Sequence, residues 1–217
     1  MKFSSSNNIR PVILIPFTLI LLLVIVLFIG TGYVREQQAH GQALQNTLKH
    51  FKNEFRAQLD NDAEMMHVAI AALFEHQGIF SAFQARDRQA LYDLARPIFE
   101  HFKKEHSITH FYFVTPERKT LLRVHQFDRH GDTINRLTMV QAEKTRESAF
   151  GLELGNFGTF THRIVVPWRV DGQLIGYVEL GEEIDHIIND IAKRFDVQLL
   201  TTIKKGLLQS TVPDLTG

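Results

Sequence analysis

Between Arg10 and Arg35 the chain carries no charged side chain, and the run PVILIPFTLILLLVIVLFIGTGYV is almost wholly aliphatic or aromatic. A helix rises about 1.5 Å per residue, so roughly 20 apolar residues cross about 30 Å of hydrocarbon. Residues 11–33 supply that length and are predicted to form a transmembrane helix. Pro11 and Pro16 are placed in its first turns, where a missing amide donor costs least. A secretory signal is the rival reading, because the run is N-terminal and follows Lys2 and Arg10. Two features oppose it. The apolar stretch outruns a signal core of roughly 7–15 residues, and Gly30, Thr31 and Gly32 lead straight into Tyr33 and Val34 instead of a small-x-small cleavage site. The segment reads as an uncleaved anchor.

Basic residues nearly balance across it, with Lys2 and Arg10 before and Arg35, Lys49 and Lys52 after, so charge alone does not orient it. Residues 1–10 are too few for a domain and are read as a cytoplasmic tail, which puts the long remainder on the far side. The 217-residue chain has 24 Lys plus Arg against 24 Asp plus Glu, so the electrostatic footprint of a nucleic-acid binder is missing and nucleic acid is not expected as a partner. Without cysteine there is no disulfide, thiolate metal site or cysteine nucleophile.

Beyond the anchor, Leu44, Leu48, Phe51, Phe55, Leu59, Met66, Ile70 and Leu73 recur at three-, four- and seven-residue steps, which predicts one long amphipathic helix over 34–77, ended by Gly78. Its apolar stripe serves as a core face, as a dimer seam, or as both along different stretches. A second helix is predicted from Asp87, a suitable N-cap, to about Glu105, with Pro97 kinking or dividing it. The period then switches to two. The runs 108–114 and 120–125 read as a hairpin, a polar loop 126–135 follows, and a short helix spans about 137–147. Strand patterns recur at 149–154, 159–170 and 174–180, with Asp171-Gly172 as the turn between the last two, then a helix over 182–195 and a strand at 197–203. The pattern is α+β: a transmembrane helix continuing into a long stalk helix that packs on a PAS-like antiparallel sheet of five to six strands.

Polar groups inside the strand patterns mark the candidate site: His110, Arg123, His125, Glu153, His162, Arg163 and Glu179, with Asp128, Asp132 and Arg136 on the loop. Buried charge is costly unless paired or used. Residues two apart on a strand share a face, which pairs Arg123 with His125 and Tyr177 with Glu179. Guanidinium groups so placed grip a small carboxylate or similar anion; alternatively Arg123 pairs with Glu153 or Glu179 as a structural ion pair. A metal-dependent hydrolase would draw on His110, His125, His130, His162, Asp128 and Asp132, although no HExxH, GxSxG or P-loop occurs. A third reading is a membrane-anchored structural interaction protein that binds nothing small.

The stretches LLRVHQFDRHGDTINR and GLELGNFGTFTHRIVVPWRVDGQLIGYVELGEEID resemble the double-Cache extracytoplasmic sensor domains of bacterial chemoreceptors, sensor histidine kinases and diguanylate cyclases. The likeness runs from the long helix to about Ile203. It implies a non-enzymatic, cofactor-free sensor lobe over 78–195 and, at 196–217, the start of a second lobe, cut short. Together with the one anchor and the short N-terminal tail, the reading is a single-pass protein of the inner membrane, with the N-terminus in the cytoplasm and the sensor in the periplasm or outside, whereas receptors of this family continue into a second transmembrane helix. Carried onto this chain, the resemblance points to Arg123, His125, Asp132, Arg136, Glu153, Arg163 and Glu179 as pocket or pocket-framing positions, which Tyr177 joins as a ligand-site candidate through its shared face with Glu179, and to Gly131, Gly151, Gly155, Gly158, Gly176 and Gly181 as backbone-geometry positions. The expected partners are a small polar or anionic solute, the membrane, a second copy through the stalk helix, and a separate signalling protein, because ten cytoplasmic residues hold no output domain.

Overall fold

A computed structural model describes residues 9–155, 159–195 and 198. The predicted strand at 197–203, the possible second lobe at 196–217 and Gly158 lie outside the described residues. The chain divides into two units, Met1–Lys52 and Asn53–Gly217.

Helix α1 is Ile9–Phe74. In the first unit its stretch Ile15–Gln38 is long and apolar enough to cross a membrane. The large apolar side chains from Ile15 to Ile29 are 45–79% exposed, an arrangement that water disfavours and a hydrocarbon layer satisfies. Because the helix starts at Ile9, Pro16 lies inside it, about two turns in, rather than in the first turns as expected. Leu44 and Leu48 are exposed, so this stretch of the predicted stripe covers no core among the described residues.

In the second unit the same stripe does cover a core, through Met66, Ile70 and Leu73. α1 stops at Phe74, and Gly78 does not end it: Gly78 lies in the first turn of a separate helix, α2 (Gln77–Gln84). The break comes from His76, whose Nδ1 accepts the Ile79 amide at 3.2 Å and so supplies the cap. Helix α3 (Arg88–His106) starts at Asp87, whose carboxylate accepts from the Ala90 amide. It runs unbroken through Pro97, whose fixed φ is helical, and Leu91, Ala95 and Phe99 on either side of the proline share one buried face.

Strands β1 (Ile108–Val114), β2 (Thr120–Arg123), β3 (Ala149–Leu154), β4 (Phe160–Val170) and β5 (Gln173–Glu183) form one antiparallel sheet in the order β2-β1-β5-β4-β3. Helix α4 (Leu137–Thr145) lies between β2 and β3 in sequence, and α5 (Asp185–Phe195) follows β5. Asp171 and Gly172 have φ of 49° and 79°, the left-handed pair that a two-residue hairpin needs to match strand twist. One sheet face carries Phe111, Phe113, Leu122, Trp168 and Leu180 into the core with α1, α2 and α3. Gly176 permits the closest approach there, since a Cβ would collide with the Val114 carbonyl oxygen and the Phe83 ring. The other face packs Val114, Val165 and Tyr177 against Met139 and Ala142 of α4, and it also carries the polar residues.

Candidate ligand site around Tyr112

Strand pairing builds this site. Tyr112 on β1 stands opposite Arg123 on β2 and Glu179 on β5. Arg163 on β4 stands opposite Gly181 on β5 and Gly151 on β3, each two residues from a carboxylate, Glu179 and Glu153. Period-two alternation therefore turns all five side chains, Tyr112, Arg123, Glu153, Arg163 and Glu179, to one face. Gly181 leaves room for the arginine stem, as a Cβ there would sit 3.2 Å from Arg163 Cγ.

Three guanidinium carbons surround the buried Tyr112 ring, Arg123 at 5.2 Å, Arg136 at 5.1 Å and Arg163 at 5.9 Å from its centroid. Glu179 is fully buried and held by both Arg136, at 2.5 and 2.6 Å, and Arg163, at 2.8 Å. Burial opposes its ionisation, yet the two guanidiniums prevail and keep its carboxyl below the usual range. Glu153 takes the role that the α4 N-cap, Arg136, does not fill: its Oε1 accepts from the Thr138 amide and hydroxyl, both at 2.8 Å. Its Oε2 lies 3.3 Å from Arg136 Nε and 3.6 Å from Arg163 Nε, close enough for charge attraction but not aligned as hydrogen bonds. Arg123 pairs with neither buried glutamate. Asp132 on the covering loop accepts both of its Nη groups at 2.7 Å, and Arg129 O accepts a third bond at 2.8 Å. That contact rules out the alternative in which Arg123 pairs with Glu153 or Glu179, and it holds the Asp132 carboxyl below its ordinary range.

His125 is near this group but not on a strand with Arg123, since β2 ends at Arg123. Its Nδ1 faces the Phe111 amide and carbonyl at 3.2 and 3.3 Å, and its ring stands edge-on to Tyr112 and His110. Burial, reinforced by Arg123 and Arg163, lowers His125 to about 4, although the Phe111 backbone and Glu179 act the other way. Burial, then Arg163, His125, Arg136 and Arg123, lowers His110 to about 2. Both imidazoles are neutral at pH 7. Tyr177, two residues from Glu179, is a core residue packed with Val114 and Met139. Burial raises its hydroxyl above the ordinary value.

Tyr112 and Thr138 were not among the expected positions. The alternation of His110 and Tyr112 within ITHFYFV was the available signal, and it is hidden because tyrosine reads as apolar in a strand. The hydrolase ligand set does not converge. His162 points to the opposite face, where its Nδ1 meets Glu182 at 3.2 Å and Glu182 meets His186 at 3.4 Å. Among the described residues no group of three or more His, Asp or Glu is placed to hold a metal ion. Two clefts lie away from Tyr112, one of about 240 Å³ between Phe83, Arg86, Pro116 and Leu174, and one of about 90 Å³ between Gln58, His186 and Arg194. Ion pairs line the face around Tyr112.

Residues 41–216 match the dCache_3 family, the double sensory domain of two-component sensor kinases. Among solved structures, the V. cholerae histidine kinase DctB sensor domain is 17% identical with a TM-score of 0.56, the match covering 70% of this chain and 59% of that one. The E. coli DcuS sensor domain is also 17% identical, with a TM-score of 0.51 over 61% of this chain and 96% of its own. A domain of a sensory box/GGDEF family protein from Vibrio parahaemolyticus is 14% identical, with a TM-score of 0.50 over 68% and 64%. This chain thus spans about three fifths of the length of the DctB domain. No curated protein matches the chain.

Proposed function

This chain belongs to the family of double sensory domains of two-component sensor kinases, and on that premise we propose that it is a membrane-anchored, non-catalytic sensor that binds a small polar or anionic solute at the Tyr112 face. One observation carries the reading: three guanidiniums from two strands and a covering loop converge within 6 Å of one buried ring. Residues 1–10 are the cytoplasmic tail, 11–33 the anchor, 34–77 the stalk, 78–195 the extracytoplasmic sensor lobe, and 196–217 the start of a second lobe. Solute binding biases one of two arrangements of the lobe, and a separate signalling protein reads the difference. The test is a thermal-shift screen of the full chain in detergent micelles against organic acids, amino acids and amines. A solute at a hundred times its dissociation constant adds about 2.7 kcal/mol, a rise of about 5–10 °C for a chain of this size. The rise is expected to disappear in Arg123→Ala and to shrink in Arg123→Lys, which keeps the charge but not the fork.

The second reading, a structural interaction protein without a small ligand, is favoured by a different observation, the saturation of every one of these guanidiniums by a carboxylate. A folded protein that no screened solute stabilises would support it. Either reading leaves Leu44 and Leu48 exposed on α1, and we assign them to a parallel seam with a second copy. Cysteine in place of Leu48 is expected to form a disulfide-linked dimer in membranes under mild oxidation; a chain that stays monomeric would remove the seam.

A further inference from the structure

Only one of the three guanidiniums has a partner that it can release. Arg136 and Arg163 share Glu179, which is 0% exposed, so withdrawing either would leave a carboxylate beyond the reach of water with one guanidinium in place of two. Arg123 is 5% exposed, but the side chain of its partner Asp132 is 47% exposed. Rotation about the Asp132 side chain delivers that carboxylate to solvent. The main chain need not follow, because Asp132 O accepts from Thr120 N at 2.9 Å, Gly131 N donates to Thr120 O at 2.8 Å, and Lys119 bridges to Thr133. With Asp132 turned out, Arg123 keeps its bond to Arg129 O and loses the two 2.7 Å acceptors that a planar carboxylate would replace one for one.

Resting on the sensor reading above, we propose that Asp132 is a built-in competitor: the solute is recognised through a single carboxylate that takes Asp132's place on the Arg123 fork, while Arg136 and Arg163 stay on Glu179 as framing. The strength of the internal pair then sets the solute concentration at which the sensor responds. The ligand class follows, a small acid with one carboxylate engaged.

Acetate is the probe, titrated into the full chain in micelles at constant ionic strength against chloride, with melting temperature and heat of binding as readouts. Asp132→Ala is expected to bind acetate at least tenfold more tightly than the parent, and Asp132→Asn, which keeps the side-chain volume, to show a smaller gain. In Arg123→Lys/Asp132→Ala the gain should vanish. Equal or weaker acetate binding in folded Asp132→Ala and Asp132→Asn overturns the competitor, as does a gain that survives loss of the Arg123 fork. The two failures are distinguishable. A parent protein stabilised by a screened acid, with no gain in the Asp132 variants, sinks the competitor and keeps the sensor. A tenfold gain in the variants with no solute for the parent sinks the sensor, leaves the Arg123–Asp132 contact a permanent structural pair, and overturns the competitor with it.

Discussion

Replacing Glu179 by alanine is expected to cost about 3–5 kcal/mol, because it leaves two guanidiniums facing each other in a buried site with only Glu153 between them. For a chain of this size that loss lowers the melting temperature by roughly 10 °C. The pair itself is not the source of the stability: the penalty is that of the stranded cations. A quadruple variant that removes all the charges together, Arg136→Met, Arg163→Met, Glu179→Leu and Glu153→Gln, the last keeping an oxygen to accept from Thr138, should accordingly unfold near the parent temperature or above it. Thermal unfolding of the full chain, followed by circular dichroism, reads both. A loss under about 1 kcal/mol in Glu179→Ala would mean that the site is open to water and the network is not buried in solution.

The second large effect is a loss of stability in mild acid. His125 and His110 have folded values of about 4 and about 2, against 6.5 for a free imidazole. Between pH 6.5 and the folded value the unfolded chain binds a proton that the folded chain refuses, so stability is full above 6.5 and falls as the pH drops. Two such groups give a slope of up to about 2.7 kcal/mol per pH unit between roughly pH 6 and pH 4. Asp132 and Glu179, whose values are lowered in the fold, act in the same direction, contributing stability above their unfolded values that is lost on further acidification. Melting temperatures measured from pH 8 to pH 4 should fall steeply below pH 6, and less steeply in His125→Phe. A flat profile would show that the rings are not held neutral by burial.

Much of this molecule is legible in its sequence because the signals are local. The uncharged run from 11 to 33, the Asp87 cap, the Asp171-Gly172 turn and the period-two strands each depend on neighbours a few residues away, and each recurs in the fold. The misreadings share a different cause. Histidine is not a habitual cap, so the break at His76 is not legible inside a continuous apolar period: the stalk helix reads on to Gln77, and α2 is not signalled as a helix of its own. The mid-helix proline was given too much weight, since a shared buried face holds both halves of α3 together. Within the site, the residue types and their common face could be inferred from strand alternation, but not their partners. Which carboxylate Arg123 takes depends on how the loop folds back along β2, and the sequence separation of nine residues does not encode that path. Tyr112 escaped notice because its role is positional: it is the ring on which three charges from distant segments happen to meet.

The two margins of the sheet are unequal. Beyond β2, the main chain of Gly131, Asp132 and Thr133 already pairs with Thr120 and Lys119, so that margin is covered at its start. Beyond β3 no strand pairs among the described residues, and Phe150 and Leu152 on it are exposed. The sheet therefore has a direction of growth: among the described residues the margin past β3, on the side away from Arg123, is the one with its whole length open to a further strand.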